Sequence, residues 1–433
     1  MSDVLLIQPP LPPPMDAYVR DVVLCPPLGL GYIASTLMAE GFKVGIVDAA
    51  IENLALRDIR EIIRREDPRL LGVSAATYTY KNALKIAKLA KEVDDSIFTV
   101  LGGPHVTFKA DEALNEEAVD GVVRGEGEYT ILDLVRVLLH GGSLRDVAGL
   151  SFTLPGGRHV HNADRPLIRD LDSLPFPARK TLPLNLYRIP ASIITSRGCP
   201  YNCIFCAAKA LSGGIYRVRS PENVVAEVEE ILKIIRPDFL FIADDTFTVF
   251  RDRTERIAEK LREMGLRWVC ESRVNTVNRE VINILAESGC FSIQFGVESG
   301  SQKILDSIGK GITVEQVRRA VRWCLEAGIQ PVCSFMVPHP EDTWETIGET
   351  ERFMEELRKL GVQIFVSLTT PFPGTTLYEN ASELGLHFIT DDTDDYNLAS
   401  PVIETKNFKV KDIEEIFSRF VDISIATLPE ALR

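Results

Sequence analysis

Short apolar runs alternate with segments of helical periodicity through the first 140 residues. Five runs of four to six residues predict buried parallel strands, because both faces of each run are largely hydrophobic. A segment of helical spacing follows each run, and five such units predict a Rossmann-like, doubly wound α/β domain with helices on both faces of the sheet. The predicted strands are 4–8, 43–48, 70–74, 97–102 and 121–124, and the predicted helices are 31–40, 56–66, 81–93, 111–118 and 131–139.

This alternation lapses in a glycine- and proline-rich stretch and resumes at residue 192. We interpret the stretch as an irregular connector with one hairpin, 147–154 paired with 158–161. Six further strand–helix units predict a partial barrel, a (β/α)6 arrangement whose active site lies at the carboxyl ends of its strands. The predicted strands are 192–196, 239–243, 267–272, 292–297, 332–337 and 364–369, and the helices between them are 221–235, 251–264, 280–287, 314–327 and 343–359.

A last helical segment, 411–426, carries an apolar stripe on one face. The stripe consists of Ile413, Ile416, Phe417, Phe420 and Val421. Docking on the barrel is its simplest use, and a partner or membrane surface is the alternative. The predicted organisation is a first domain at 1–140, a connector at 141–190, a barrel at 191–380 and an extension at 381–433.

Composition narrows the class of protein further. The 433 residues are 45% hydrophobic and 25% charged, as expected of a globular protein with a large core. The net charge of −14 argues against broad binding of nucleic acid. No secretory leader and no apolar run of the ~18–20 residues that span a bilayer is evident, so we expect a soluble, cytoplasmic protein.

Three of the eight cysteines, Cys199, Cys203 and Cys206, fall within eight residues of the stretch SRGCPYNCIFCA. Thiolates suit zinc, copper(I) or an iron–sulfur cluster. Structural zinc takes four closed ligands, whereas the nearest further candidates here are dozens of residues away. A 4Fe–4S cluster normally takes four cysteines, so three would leave one iron open for a non-protein ligand. The other cysteines stand singly in apolar contexts and are predicted to be buried small side chains.

The spacing C-x3-C-x2-C, with Phe205 just before the last cysteine, resembles the signature of radical S-adenosylmethionine (SAM) enzymes. In that family the open iron binds the amino and carboxylate groups of SAM. The resemblance therefore implies a 4Fe–4S cluster, reductive cleavage of SAM to a 5′-deoxyadenosyl radical, and an electron donor such as flavodoxin or ferredoxin.

Charged residues end two later barrel strands, and they are candidates for binding SAM. Asp244 and Asp245, in FLFIADDTF, match the segment that contacts the SAM amino group, although one of them could merely cap the following turn. Glu271 and Arg273 end the next strand, in WVCESRVN. Arg273 suits the SAM carboxylate, and pairing with Glu271 or Glu298 is the alternative.

The fourth barrel segment, FGVESGS, matches the family closely and contributes Glu298, which approaches the SAM ribose in relatives, and Ser299. The turn after the fifth strand departs from the family, because VPHPEDT replaces a glycine-rich turn. The backbone contact to adenine that relatives make in this turn is therefore not expected in this chain. His339 becomes a candidate for handling substrate or protons, with a plain surface histidine as the alternative.

Glycine-rich and polar motifs also end the strands of the first domain: QPP, PPLGLGY, SAATY, GGPHV and RGEGE. Glycines let the backbone approach a bulky ligand, and no G-x-G-x-x-G with a following acid supports NAD. Together with the barrel, these motifs resemble the cobalamin-binding branch of radical SAM enzymes over about residues 1–400. The resemblance implies a cobalamin site made by Pro9, Leu28, Gly29, Ser74, Thr77, Tyr78, Gly102, Gly103, His105, Val106, Gly125, Glu126 and Glu128.

The D-x-H-x-x-G segment that supplies a histidine to cobalt in some cobalamin proteins is absent. The resemblance therefore implies base-off cobalamin with no histidine below the cobalt. A weakly ligated cobalt suits methyl transfer, so a methylase acting on an unactivated carbon is the leading hypothesis. A non-methylating radical enzyme, such as a cyclase, a ring-rearranging or an oxidative enzyme, and a cobalamin sensor or carrier are the alternatives. A tRNA methylthiolase is not favoured, because it would carry a second cysteine trio upstream, where Cys25 stands alone. The substrate could be a small metabolite, a lipid precursor or a protein side chain.

Overall fold

The computed structural model describes residues 2–13, 15 and 24–425, and the chain divides into two units after Pro190. Each unit has its own sheet and its own hydrophobic core. The α/β class and the two predicted sheets are confirmed. The hairpin predicted in the connector belongs to the sheet of the first unit, where it forms an antiparallel edge.

The sheet of the first unit has seven strands in the order β2-β1-β3-β4-β5-β6-β7, of which the first five in the chain are parallel. Both faces of β1 are buried, which explains why it reads as a continuous apolar run. The order changes direction between β1 and β3, and such sheets bind ligands in the crevice at the carboxyl ends of those two strands. The strands are β1 (Val4–Gln8), β2 (Val44–Asp48), β3 (Leu70–Ser74), β4 (Phe98–Gly102), β5 (Gly121–Val123), β6 (Leu150–Thr153) and β7 (His159–His161), and the helices are α1 (Leu28–Ala39), α2 (Leu56–Glu66), α3 (Tyr80–Val93), α4 (Pro104–Phe108), α5 (Ala110–Leu114) and α6 (Glu128–His140).

The second unit contains a six-stranded parallel sheet whose strands follow chain order, with a helix between most neighbours. All carboxyl ends therefore meet at one edge, as in a partial barrel. The sheet strands are β8 (Ser192–Ile193), β11 (Leu240–Ile242), β12 (Trp268–Ser272), β13 (Cys290–Glu298), β14 (Gln330–Val337) and β15 (Gln363–Leu368); β9 (Ser196–Arg197) pairs with β10 (Arg217–Val218), and β16 (His387–Phe388) with β17 (Ile403–Glu404). The helices are α7 (Ala208–Ser212), α8 (Pro221–Ile234), α9 (Arg251–Glu263), α10 (Arg279–Glu287), α11 (Gln302–Ser307), α12 (Val314–Glu326), α13 (Trp344–Lys359), α14 (Thr376–Glu379) and α15 (Val410–Ile425).

Local sequence signals set where the barrel helices begin. Ser220 caps α8 by accepting a hydrogen bond from the Asn223 amide, and Pro221 occupies the first turn, where its missing N–H costs nothing. Thr313 and Thr343 cap α12 and α13 in the same way. These caps stand directly after loops at the carboxyl edge, so they hold the loops that surround the site.

Two predicted elements differ from those observed. The predicted helix 111–118 is instead the pair α4 and α5, because Lys109, with φ −125° and ψ 43°, leaves helical geometry. The predicted strand 192–196 divides into β8, which belongs to the barrel sheet, and β9, which pairs antiparallel with β10. The chain leaves the barrel sheet just before the cysteine loop.

The tail helix α15 packs against β15 and buries Ile413, Ile416 and Phe420, as the stripe predicted. Phe417 packs at the margin of the same core. The last residue of the predicted segment, Ala426, lies outside the described residues. Within the described ranges, no helix combines the length and apolar character needed to cross a membrane.

Candidate active site at the carboxyl ends of the barrel strands

A cavity of about 240 Å³ lies at the carboxyl ends of the barrel strands. All three clustered cysteines line it, so the structure brings together what the motif predicted. Two aromatic residues, Tyr201 and Phe205, line it beside them. The charged residues of its wall are Lys209, Asp245, Glu271, Arg273, Glu298 and Lys310.

The cysteine loop is held on both sides by backbone contacts. The Ile204 amide donates to the Ile308 carbonyl at 3.1 Å, and the Leu377 amide donates to the Ile204 carbonyl at 2.8 Å. Gly198 has a φ of +88°, and a Cβ atom there would collide with the Ile215 carbonyl oxygen, so glycine is required where the chain turns into the loop.

The thiols of this loop suit a multi-iron cluster better than a single ion. Burial, together with Asp245 and the neighbouring cysteines, raises the pKa of the Cys206 thiol to about 11. A bound cation is therefore needed to hold the thiolate at neutral pH. In the described part of the chain, no three His, Cys, Asp or Glu side chains converge tightly enough for one metal ion. Three cysteines spaced around a cavity thus fit a cluster rather than zinc.

The single cysteines occupy the positions expected of small hydrophobic side chains. Cys270, Cys290, Cys324 and Cys333 are buried, and Cys25 is half-buried. None of the eight cysteines forms a disulfide. The cysteine chemistry of the second unit is therefore concentrated at the cavity.

Asp244 has a different place from the one predicted. Its Oδ1 accepts hydrogen bonds from the amides of Thr195 and Ser196, and its Oδ2 accepts from their two hydroxyls, at 2.5–3.1 Å. The side chain is buried and does not line the cavity. These four donors fill the acceptor positions of the carboxylate, so Asp244 holds the chain entering the cysteine loop and leaves no oxygen for the SAM amino group.

Asp245 and Glu271, in contrast, face the cavity and make no ion pair or side-chain hydrogen bond within the described part of the chain. Burial, which removes water from around the carboxylate, raises the pKa of Asp245, and the charge of Asp244 raises it further. Burial raises the pKa of Glu271 to about 7, and Asp245 and Asp244 contribute to the shift. Two adjacent carboxylates without a cation are suited to bind a cationic ligand group.

Arg273 pairs with neither Glu271 nor Glu298, the alternatives open from sequence. Its guanidinium lies 3.7 Å from the ring centroid of Tyr201 and donates from Nη1 to Cys203 Sγ at 3.5 Å. Nη2 donates to the Lys310 carbonyl. The buried cation is thus fixed at the cavity wall with no carboxylate partner among the residues that the structure describes, and it remains suited to an anionic ligand group.

Ser299 and His339 do not line the cavity. Ser299 lies 3.0 Å from the Thr350 hydroxyl, on the α13 side. His339 is 0% exposed, which overturns the surface alternative, and its ring centroid lies 6.1 Å from that of Phe205. Neither imidazole nitrogen has a partner of ordinary hydrogen-bond geometry within the described residues, and the ring lies against the backbone of Glu298. Burial lowers the pKa of His339, so the ring is neutral at physiological pH.

Sequence reasoning missed several residues of this wall, of which Tyr201 and Lys310 make the most informative contacts. Lys310 Nζ lies 2.7 Å from Glu298 Oε1, and both side chains are buried. The signal that could have found it is its position between Gly309 and Gly311, because closely spaced glycines are typical of tight turns and of close backbone approaches.

The predicted cobalamin residues lie mostly at the carboxyl edge of the first unit's sheet. Pro9 follows β1, Ser74 ends β3 and is followed by Thr77 and Tyr78, and Gly102 ends β4 and is followed by Gly103. This is the edge at which the strand order changes direction, where such sheets bind cofactors. The remaining members of this edge are Leu28 and Gly29 at the start of α1, Gly125 and Glu126 between β5 and α6, and Glu128 at the start of α6.

Six of these predicted residues are buried, namely Pro9, Leu28, Thr77, His105, Val106 and Glu128, and the contacts of His105 and Val106 lie in the protein interior. Val106 belongs to the hydrophobic core. The His105 ring is 3% exposed, with Nδ1 3.2 Å from Thr77 Oγ1 and its centroid 4.3 Å from that of Tyr80. Only the backbone of these two positions is therefore available to a ligand without rearrangement.

The glycines of the same edge have different uses. A Cβ on Gly103 would lie 2.9 Å from the Ala75 carbonyl oxygen, so this glycine permits strand-end packing. A Cβ on Gly29 or Gly125 would meet nothing within 4 Å, so their backbone is open to approach. Glu126 is already engaged, because it accepts a hydrogen bond from the Ile168 amide at 2.8 Å. The edge therefore fits a large cofactor held chiefly by backbone.

Both units match known families. Residues 193–354 match the radical SAM superfamily, and residues 21–135 match the B12 binding domain. An uncharacterized methyltransferase of Pyrococcus horikoshii is 36% identical over 433 residues, covering 97% of this chain and 92% of that protein. An anaerobic magnesium-protoporphyrin IX monomethyl ester cyclase of Rubrivivax gelatinosus is 30% identical, covering 88% of this chain and 70% of that protein.

A solved structure shares the arrangement of elements. The radical SAM methyltransferase TsrM of Kitasatospora setae, with cobalamin and a 4Fe–4S cluster bound, has a TM-score of 0.77 and covers 100% of this chain and 90% of that one. The two sequences are 18% identical, so the likeness concerns the fold.

Proposed function

The chain belongs to the cobalamin-dependent radical SAM enzymes, and from this premise we propose that it is a methyltransferase acting on an unactivated carbon. Its cofactors are a 4Fe–4S cluster, SAM and cobalamin. The observation that carries the proposal is the near-full-length similarity, across both units, to a protein named as a methyltransferase. A radical source and a methyl carrier then belong to one polypeptide.

The charges of the cavity support a division of labour among its side chains. Cys199, Cys203 and Cys206 would hold the cluster, and Asp245 with Glu271 would receive the SAM ammonium group. When bound, the cluster and SAM supply a radical, and cobalamin supplies a methyl group.

The remaining wall residues would orient the other parts of SAM. Arg273 would bind the SAM carboxylate, since it is a cation held against the Tyr201 ring and has no carboxylate partner in the described part of the chain. Glu298 would accept hydrogen bonds from the ribose. Tyr201 and Phe205 give the wall apolar faces that keep water from the reacting groups.

Isotope transfer tests the proposal. The reconstituted chain, with a reductant such as reduced flavodoxin, would be incubated with methyl-deuterated SAM and fractionated extracts of candidate substrates. We expect 5′-deoxyadenosine and S-adenosylhomocysteine in similar amounts, together with a labelled product. Formation of 5′-deoxyadenosine without S-adenosylhomocysteine or labelled product would contradict methylation.

A second candidate is a non-methylating radical enzyme, which the similarity to the cyclase favours. The same assay separates the two candidates, because a cyclase consumes SAM without transferring its methyl group. The product of such a reaction would lack deuterium.

A further inference from the structure

The turn between α11 and α12, residues 309–311, lies against the cysteine loop; we refer to it as the GKG turn. Gly309 and Gly311 both have a φ of +65°. A Cβ on Gly309 would lie 2.9 Å from the Asn202 carbonyl oxygen, so glycine permits this approach. The turn is therefore built to bring Lys310 to the cavity.

Lys310 contacts three parts of the cavity wall. Its ammonium lies 2.7 Å from Glu298 Oε1 and 5.7 Å from the centroid of the Phe205 ring. Its backbone carbonyl accepts a hydrogen bond from Arg273. One residue thus connects the carboxylate, the aromatic ring and the guanidinium that surround the predicted SAM position.

Glu298 is held in an unfavourable backbone conformation. Its φ is +72°, a region that side chains other than glycine rarely adopt, and the pairing of β13 with β14 is irregular between Gly296 and Glu298. A Cβ on Gly296 would lie 2.6 Å from Glu298 Oε1 and 2.8 Å from Lys310 Nζ. The ion pair lies directly over this glycine, and strain kept at a cavity wall is characteristic of a functional position.

The three cavity carboxylates differ in whether a protein cation neutralises them. Glu298 has Lys310 on one oxygen, which leaves the other oxygen as a neutralised acceptor suited to an uncharged donor such as a hydroxyl. Asp245 and Glu271 have no such cation within the described residues and are suited to an ammonium group. The distribution of charge therefore favours ligand hydroxyl groups near Glu298 and a cationic ligand group near Asp245 and Glu271.

We propose that Lys310 is a positioning residue that acts through Glu298, holding its carboxylate as an acceptor for the ribose hydroxyls of SAM. The pair thereby sets the direction in which SAM lies, with the ribose at Glu298 and the ammonium at Asp245 and Glu271. This inference rests on the SAM site proposed above. It does not depend on methyl transfer, because its test measures binding alone.

Two ligands distinguish the ribose from the methionyl group. SAM and 5′-methylthioadenosine share the adenosine part, but only SAM has the amino and carboxylate groups. Dissociation constants for both would be measured with the cluster- and cobalamin-loaded chain, and the EPR spectrum of the reduced cluster would report SAM binding independently. The variants are Lys310→Met, Lys310→Arg, Glu298→Gln and the double variant, with exposed Lys303→Met as a matched control.

We expect Lys310→Met to weaken both ligands equally, by about tenfold or more, since it leaves Glu298 buried and unpaired. Lys310→Arg should restore most of the affinity, and the double variant should bind no more weakly than Glu298→Gln. Lys303→Met should bind as the wild type does. Iron content identifies any variant that fails to load its cluster.

Three results would overturn the proposal. Weakened SAM binding with unchanged 5′-methylthioadenosine binding would mean that Lys310 contacts the methionyl carboxylate directly. Multiplied losses in the double variant would mean that Lys310 and Glu298 act independently. Wild-type affinities with a lower melting temperature would give Lys310 a structural role only.

Discussion

Glu271→Gln should stabilise the second unit at alkaline pH. Burial, with the charges of Asp245 and Asp244, raises the pKa of Glu271 from its ordinary 4.5 to about 7. Because the folded state favours the protonated carboxyl group, its contribution to the free energy of unfolding is fully present below pH 4.5 and is lost as the pH rises through 7. Glutamine is uncharged at every pH and avoids this loss.

The magnitude follows from the shift. A difference of roughly 2.5 pKa units corresponds to about 3 kcal/mol, and partial exposure of the side chain reduces this to about 2 kcal/mol. We therefore expect the variant and the wild type to be similar near pH 4.5 and to differ by about 2 kcal/mol at pH 8.

Urea unfolding at pH 5 and pH 8, before cluster assembly, measures the difference. Tryptophan fluorescence reports the second unit alone, because Trp268, Trp323 and Trp344 all lie within it. The exposed Glu287→Gln serves as control and should show no pH-dependent gain. Equal stability of Glu271→Gln and wild type at pH 8 would refute the reasoning, since it would mean that the carboxylate is not desolvated.

The remaining predictions concern the same wall. Asp244→Asn should lower the free energy of unfolding of the second unit by about 3 kcal/mol or more in urea, because it disrupts buried hydrogen bonds to Thr195 and Ser196. Asp245→Asn should keep the stability of the wild type and weaken SAM binding, as measured by equilibrium dialysis. The reverse pattern would contradict the assignment. Alanine at any one of the three clustered cysteines should abolish 5′-deoxyadenosine formation yet leave cobalamin binding intact, as chromatography and visible absorption would show; loss of both would mean that the two sites are not independent. His339→Leu should leave the melting temperature unchanged or higher, because no hydrogen bond of ordinary geometry to the ring is lost in the described part of the chain, and a fall of several degrees would show that the contact of the ring with the Glu298 backbone stabilises the fold.

Much of the fold was determined by the sequence alone, because strand–helix units carry their signal locally. A buried parallel strand reads as a continuous apolar run, so 4–8 and 70–74 were predicted to the residue. The start of a helix is also a local feature, because a capping side chain such as that of Ser220 bonds to an amide only three residues later. The cysteine trio was equally local, since eight residues contain its whole pattern.

The orientation of individual side chains was decided only by the tertiary structure. Asp244 and Asp245 are adjacent and chemically identical, yet donors on Thr195 and Ser196 occupy the first and leave the second facing the cavity. No local pattern connects residue 195 with residue 244.

The same reason explains Lys310 and His339. Lys310 forms an ion pair with Glu298, twelve residues earlier and next to an irregularity in the pairing of β13. His339 lies in a turn and is nevertheless fully buried. Periodicity reports which face of an element is apolar, but a charge near a strand end can turn either way. The contacts that choose between the two directions come from segments distant in the chain, so they exist only once the barrel has folded.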